Sequence, residues 1–134
     1  MNSNVERTLW EFLTATGTDL YTLCATRVWH SQYPLDSDWT ADTAGIVFFV
    51  TNGAGPTNGQ TDDITVEFRC HGADRTHTAA QAVARALWKR LQASGGSTTS
   101  GGKIDRAFRR GQQNLVDPDT GWPFTLCRYN LIME

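Results

Sequence analysis

The residue types with the greatest capacity for chemistry in this sequence are cysteine and histidine. Cys70 and His71 are adjacent, and a thiolate beside an imidazole base can act as a nucleophile; Cys127 with a histidine would be a pair of the same kind. Cys70, however, falls on the apolar phase of an alternating segment, and neighbouring residues of a strand point to opposite faces. We therefore expect buried thiols, no catalytic residue and no enzymatic activity.

The spacing of potential metal ligands is also unfavourable. A zinc site normally includes one close pair of ligands such as Cys-x-x-Cys, and the sequence has no such pair. Asp117 and Asp119 before Gly121 are similar to the start of a calcium loop, but the next acid, Glu134, lies beyond a predicted strand. These aspartates are typical of a turn. No phosphate-binding glycine motif occurs in the required order, so we predict no metal and no cofactor.

Two groups of side chains are suited to binding another macromolecule. The basic stretch 103–110 contains Arg106, Arg109 and Arg110 around Phe108, which suits either phosphates or a complementary protein surface. Because the chain has a net charge of -2, we favour a protein interface. The other interface candidates are acidic residues and tryptophans in loops or at strand ends: Asp36, Asp38, Asp42, Trp29, Trp39 and Trp122.

The tryptophans have a second interpretation. Trp10 and Trp88 fall on predicted helices and are candidates for the core. For Trp29, Trp39 and Trp122, packing in the core is as consistent with the sequence as anchoring a partner.

Hydrophobic periodicity predicts an α+β fold. Apolar residues at helical spacing predict helices at 4–15 and 75–93, the second capped by Asp74. Strict alternation predicts a strand at 63–71 with one face on the core, and further strands are predicted at 46–51, 104–115 and 122–133. The expected architecture is a mainly antiparallel sheet of four to five strands covered by two helices.

The remaining segments carry turn and loop signals. Residues 117–121 predict a hairpin turn with Gly121 at positive φ, and segments 52–62 and 94–102 predict flexible loops. Residues 18–45 predict an irregular connection with a candidate short strand at 27–31. The run 46–50 is β-branched and aromatic, which predicts a strand buried on both faces at the centre of its sheet.

The length and composition of the chain fit one globular domain spanning residues 1–134. Of its 134 residues, 40% are hydrophobic and 19% are charged. The odd number and wide spacing of the three cysteines argue against a disulfide framework and indicate a reducing compartment. The first residues lack the apolar core of a signal peptide, and the longest apolar run is too short to span a bilayer. We expect a protein that folds in the cytoplasm without a membrane partner.

This order of elements resembles the tail terminator, or tail-to-head joining, proteins of long-tailed bacteriophages. The similarity rests on three passages: the N-terminal helix leading to 27–29, the strand 64–70 followed by the long helix, and the turn 117–121 before 128–133. It extends over nearly the whole chain. The polar insertion 52–62 and the acidic segment 36–42 depart from a compact family core.

The resemblance implies a structural role in a virion. Members of the family form a ring, usually hexameric, that binds the end of the tail tube, stops its polymerisation and offers a surface to the head connector. The implied partners are further copies of the chain, the major tail tube protein and a connector or head-completion protein, with genome DNA passing through the pore without specific binding. The implied location is the tail–neck region of the virion, after assembly in the host cytoplasm.

Two alternatives stay open at this point. One is another neck or head-completion protein, and the other, from a different class, is a small enzyme or ligand-binding α+β domain. If the chain does form a head-to-tail ring, each subunit needs two complementary patches. The acidic segment 36–42 and the basic stretch 103–110 are the pair that we predict.

Overall fold

The described residues form one α+β domain with a six-stranded sheet and three helices. The computed structural model describes residues 3–30, 43–53, 62–92, 97–99, 102–119 and 121–133. In chain order the elements are α1 (Ser3–Leu13), α2 (Asp19–Cys24), β1 (Val28–His30), β2 (Gly45–Gly53), β3 (Asp62–His71), α3 (His77–Gln92), β4 (Ser97–Thr99), β5 (Gly102–Val116) and β6 (Pro123–Met133). The predicted fold class is confirmed, and α2 and β4 add to the predicted elements. None of the described helices is long and apolar enough to cross a bilayer.

The order of strands across the sheet is β1-β2-β3-β6-β5-β4. Only the pairing of β1 with β2 is parallel; the other four pairings are antiparallel. The run 46–50, predicted to be central, lies in an interior strand, because β2 pairs with β1 on one side and with β3 on the other, but β2 is second from the edge of the sheet. The centre is formed by β3 and β6, and the run is buried only as far as Phe48.

One hydrophobic core joins the helices to one face of the sheet. The alternate residues of β3 are buried as predicted, and Phe68 lies opposite Phe48 on β2 and Cys127 on β6. Helices α1 and α3 contact each other through Arg90 of α3. Its Nε donates to the carbonyl of Phe12 at 3.0 Å, and its guanidinium lies 3.7 Å from the centroid of the Phe12 ring.

The start of α3 differs from the prediction. Asp74 and Arg75 have φ of 37° and 52°, in the left-handed region, so neither residue belongs to the helix. The hydroxyl of Thr76 accepts a hydrogen bond from the backbone N–H of Ala79 at 3.1 Å. Thr76, and not Asp74, therefore caps α3, which begins at His77.

The first helix and the region after it also depart from the sequence-based expectation. Helix α1 ends at Leu13 rather than at 15. Within 18–45, predicted to be irregular, Thr18 caps the short helix α2 by accepting from the N–H of Tyr21 at 3.0 Å. The candidate strand at 27–31 is present as β1.

The described residues of the two segments that were predicted to be loops belong to strands. Residues 52 and 53 belong to β2, and residue 62 belongs to β3. Residues 97–99, in a Gly/Ser run predicted to lack regular structure, pair with 102–104 as β4, so that prediction is wrong for them. Residues 54–61, 93–96, 100 and 101 lie outside the described part of the chain.

The predicted turn between the last two strands is confirmed at its glycine. Gly121 has φ of 74°, and its N–H donates to the carbonyl of Asp117 at 2.8 Å. The side chain of Asp117 accepts from the N–H of Asp119 at 2.8 Å, which is the local bond that favours aspartate in turns. The turn holds β5 and β6 in one long hairpin.

Candidate interaction surface

The cysteine and histidine that suggested catalysis lie on opposite faces of β3. Cys70 is fully buried in the core, and burial raises its pKa, with the neighbouring Cys127 thiol as a further cause. His71 is buried on the other face, where burial first and Arg75 second lower its pKa to about 4. A protonated thiol and a neutral imidazole that do not face each other cannot form a nucleophile–base pair.

The described residues contain no cluster of three or more metal-ligating side chains. Asp117 and Asp119, the sequence's nearest approach to a calcium loop, are used in the hairpin turn. This is the role that their spacing predicts.

Trp122, a predicted interface residue, takes part in a stack within the chain. The guanidinium of Arg75 lies 3.8 Å from the centroid of a Trp122 ring, and the His71 ring lies edge-on to Trp122 at 6.3 Å. Trp122 is half-buried in this position. Its role at an interface stays a prediction.

The first edge of the sheet is closed by helix α1. The N–H of Arg27 donates to the carbonyl of Cys24 and takes no part in the pairing with β2, whereas the carbonyl of Arg27 accepts from the N–H of Ile46 on β2. Because successive carbonyls of a strand point to opposite sides, the carbonyl of Val28 points away from β2. The indole N–H of Trp10 donates to this Val28 carbonyl at 3.0 Å. One turn earlier, the Glu6 carboxylate lies 2.7 Å from His30 Nδ1. Helix α1 therefore supplies a hydrogen-bond donor to the outer edge of β1, whose Val28 carbonyl has no strand partner there.

The other side of the sheet carries a long edge. Strand β5 pairs with β6 along its length, but on its outer side β4 pairs only with 102–104. From 105 to 116 the outer side of β5 has no strand partner among the described residues. Residues 108–116 are all exposed, including Phe108 (43%), Leu115 (37%) and Val116 (54%). Such an edge offers unpaired backbone donors and acceptors.

A cationic groove runs between α3 and the exposed end of β5. Its volume is about 210 Å³, and it is lined by Gln81, Arg85, Trp88, Arg109 and Gln112. The Arg109 guanidinium lies 5.3 Å from the centroid of a Trp88 ring, so the groove combines an aromatic wall with two positive charges. No carboxylate lines it. We refer to this groove together with the outer edge at 105–116 as the β5 surface.

A second depression lies near the β5–β6 turn. It has a volume of about 370 Å³, and its walls include Arg69, Asp117 and Asp119. Arg69 is held between two rings, with its guanidinium 4.8 Å from the centroid of Phe49 and 5.5 Å from that of Phe124. Charges of both signs meet here, whereas the charged residues that line the groove are all positive.

The structure brings together one part of the predicted interface. Arg106, Arg109 and Arg110 lie with Phe108 on exposed β5, and the Arg110 guanidinium lies 6.0 Å from the Phe108 ring centroid. Phe108 pairs with Asn130 and Arg109 with Tyr129, so these two side chains lie on opposite faces of the sheet. Trp29 is half-buried on β1, and three strands lie between β1 and β5. Asp36, Asp38, Trp39 and Asp42 lie outside the described residues.

Sequence reasoning missed Arg85 and Trp88, which complete the groove. Trp88, a candidate for the core, is 36% exposed, and Trp10, the other core candidate, is 38% exposed. Arg85 and Trp88 are three residues apart, which places them on the same helix face, outside the apolar stripe. That spacing was the available signal.

Comparison with known proteins gives a match at the level of fold. No protein-family model matches the chain, and no curated protein matches it. A solved structure described as "Virion of native gene transfer agent (GTA) particle" contains a similar chain, with a TM-score of 0.67 and 13% sequence identity. The alignment covers 97% of this chain and 94% of that chain. The two chains therefore share a fold over nearly their whole lengths.

Proposed function

We propose that this chain is a structural protein of a phage-like virion. The observation that carries the proposal is the similarity of fold to a chain of a gene transfer agent particle over 97% of the sequence. Coverage of 94% of that chain means that the likeness extends over most of both chains and is not limited to a shared supersecondary motif. A non-enzymatic role agrees with the placement of Cys70 and His71 on opposite faces of β3.

Within that class we propose a tail terminator that acts as a ring at the tail–neck junction. The resemblance of the sequence to tail terminators supports this role. A subunit of a ring needs surfaces that are suited to binding the neighbouring subunits. The β5 surface is of this kind, because it combines exposed apolar side chains and cations with an edge that has no strand partner among the residues the structure describes. The partners would be further copies of the chain, the tail tube protein and a head connector. A neck or head-completion protein is the second candidate.

The test is a deletion of the gene from the genome that encodes it, followed by electron microscopy of the particles. For a terminator we expect tails of uncontrolled length and heads without attached tails, with both defects corrected by the wild-type gene in trans. Tails of normal length beside heads that leak DNA would support the head-completion alternative. Intact particles of normal appearance would contradict both structural roles.

The location is tested on wild-type particles. Mass spectrometry of purified particles should detect the protein at a few copies per particle, and antibody labelling should place it at the junction of head and tail. Labelling distributed along the tail would contradict the terminator role while leaving a structural role in place.

A further inference from the structure

We propose that the outer edge of β5 at residues 111–116 binds an extended acidic peptide of another protein as an added strand. A carboxylate of this peptide enters the groove that Arg85 and Arg109 line. This binding site goes beyond the proposed structural role and does not depend on it. Its grounds are the regularity of the edge, the direction of the backbone groups along it and the charge of the groove beside it.

The 111–116 edge is a regular segment with the length of an ordinary strand. Its residues pair with 123–128 of β6 in one unbroken register, and the nearest bulge in β5 lies before Gly111. All residues of the segment are exposed, and no strand lies on its outer side within the described part of the chain. Strands commonly have about five or six residues, so a short peptide can pair along the whole segment.

The turn after β5 fixes the direction of the backbone groups. The N–H of Asp117 donates to the carbonyl of Trp122 at 2.9 Å, so the backbone N–H of Asp117 faces β6. Because backbone groups alternate in direction along a strand, every second residue before Asp117 points its N–H and C=O away from β6. These residues are Gln112, Asn114 and Val116. The outer side of the segment therefore presents alternating donors and acceptors to a partner.

Proline in the neighbouring strand agrees with this assignment. Pro123 lies opposite Val116 and has no N–H to donate. It therefore occupies a pair that needs no hydrogen bond between β5 and β6.

The residues with outward backbone groups point their side chains toward the helices. Gln112 lies opposite Cys127, which is buried in the core, and Asn114 Oδ1 accepts from the Thr125 hydroxyl at 3.0 Å. Directly opposed residues of paired strands place their side chains on the same face of the sheet. A peptide residue opposite Gln112 would therefore project beside α3, where Gln112 lines the groove.

The groove at this position is suited to one carboxylate. Arg85 and Arg109 line it, Trp88 forms an aromatic wall, and none of its lining residues is acidic. Its volume of about 210 Å³ is below the roughly 300 Å³ at which pockets for drug-sized ligands begin. A single side chain is the occupant of matching size. A carboxylate there would accept charge-assisted hydrogen bonds from the guanidiniums.

The alternation of donors and acceptors favours a peptide over other anionic partners. A phosphodiester backbone has acceptors but no donors for the outward carbonyls of Gln112, Asn114 and Val116, whereas a peptide backbone supplies both. A second copy of the chain paired through the same edge would leave the groove without a carboxylate, because residues 111–116 include no Asp or Glu. An acidic segment of a different protein meets both requirements.

Hydrogen exchange of the free protein, followed by NMR, tests the edge itself. The amides of residues 112, 114 and 116 should exchange at least about tenfold faster than those of residues 111, 113 and 115, whose N–H groups face β6. The measurement is made at low protein concentration. Equal exchange of the two sets would overturn the proposal, because the outer amides would not be available to a partner.

Binding is tested with a capped peptide, Thr-Val-Thr-Glu-Thr-Val-Thr, and its copy with Gln in place of Glu. We expect the Glu peptide to slow exchange of amides 112, 114 and 116 and to bind at least about tenfold more tightly than the Gln peptide. Equal affinity of the two peptides would overturn the carboxylate site. Absence of protection by the Glu peptide at about 1 mM would overturn the added strand.

Paired variants test the groove. Arg85→Gln with Arg109→Gln removes two positive charges from its lining, whereas Arg106→Gln with Arg110→Gln removes two charges from the same surface outside it. The groove variant should bind the Glu peptide at least about tenfold more weakly than wild type, and the control should stay within about twofold. Circular dichroism and urea denaturation establish that both are folded. Equal weakening in the two variants would indicate general attraction between charges and overturn the site.

Two further measurements identify a different occupant. Protection of amides 112, 114 and 116 that increases with protein concentration, without peptide, would assign the edge to a second copy and overturn the proposal. Tighter binding of single-stranded oligothymidylate than of the Glu peptide, lost in the groove variant, would assign the groove to nucleic acid and overturn it as well. These outcomes leave the proposed structural role untouched, since that role is tested by deletion of the gene.

Discussion

At Gly72 the chain leaves β3 so close to α3 that a side chain has no space. A Cβ built on Gly72 would overlap the backbone and the Cβ of Ala79, and the backbone N of Ala80 as well. Overlap with helix backbone cannot be relieved by a change of rotamer. A single methyl group at this residue therefore requires the sheet and the helix to separate.

We accordingly predict that Gly72→Ala lowers the free energy of unfolding by roughly 1–3 kcal/mol. The matched control is Gly111→Ala, because a Cβ at Gly111 meets no atom within 4 Å. That substitution should change stability by less than about 0.5 kcal/mol. Urea denaturation of the two variants and wild type measures both values, and equal losses would contradict the steric argument.

His71 gives stability a dependence on pH. Burial, aided by Arg75 and Arg69 and opposed by Asp117, lowers its pKa from 6.5 to about 4. The unfolded chain therefore binds a proton near pH 6.5, whereas the folded chain binds it only near pH 4. Stability from this residue is complete above about pH 6.5 and declines as the pH falls toward 4.

We predict that His71→Gln reduces this decline. Between pH 7 and pH 4 the wild type should lose up to about 3 kcal/mol of unfolding free energy through His71, and the variant should lack that part of the slope. Urea denaturation at several pH values measures the slope for both proteins. Parallel curves that differ only by a constant would contradict the lowered pKa of His71.

At the scale of elements, the closure of the first sheet edge depends on one hydrogen bond from α1. Trp10→Phe retains an aromatic ring but removes the donor to the Val28 carbonyl. We predict a loss of about 1 kcal/mol and faster hydrogen exchange in β1. Trp88→Phe is the control because Trp88 has nearly the same exposure, 36% against 38%. Exchange in β1 that rises equally in both variants would contradict the role of the indole N–H.

The elements differ in how far the sequence predicts them, for physical reasons. Strand β3 follows from alternation alone, since its apolar residues face a single core. The start of α3 does not, because Asp74 is a good capping residue and only the left-handed conformation of Asp74 and Arg75 moves the cap to Thr76. Strand β4 lies within a run of Gly, Ser and Thr that carries no strand signal, and it forms only through its pairing with β5, which is a tertiary contact.

At the scale of the whole molecule, the three thiols are distributed over three elements that share one hydrophobic core. Cys24, Cys70 and Cys127 lie on α2, β3 and β6, and all are buried and free of disulfides. Burial raises the pKa of Cys24 to about 12, so at pH 8 its thiolate is scarce in the folded protein.

We predict that a thiol-reactive disulfide reagent modifies the folded protein at least ~100-fold more slowly than the unfolded protein. In concentrated denaturant three thiols should react at once. The measurement is absorbance of the released group with and without denaturant. Rapid reaction of one thiol in the folded protein would show that the part of the core around it opens separately.

The candidate site could be predicted in part from the sequence. The part that could not be predicted depends on tertiary contacts between α3 and β5. The basic stretch with Phe108 is visible in the sequence because its members are close in the chain. Arg85 and Trp88 have helical spacing, but only the packing of α3 beside β5 turns them into walls of the same groove. The closure of the β1 edge was equally unpredictable from the sequence, because Trp10 and Val28 are 18 residues apart and α2 lies between them in the chain.

The position of β6 has a consequence for the synthesis of the protein. This strand follows every other described strand in the chain, yet it lies between β3 and β5 and separates them in the sheet. Until residues 123–133 have left the ribosome, β3 and β5 have no common neighbour, and the side of β3 that pairs with β6 in the folded sheet has no strand beside it. The sheet therefore closes only after translation of β6, and chaperones that bind nascent chains would meet this protein with its centre still missing.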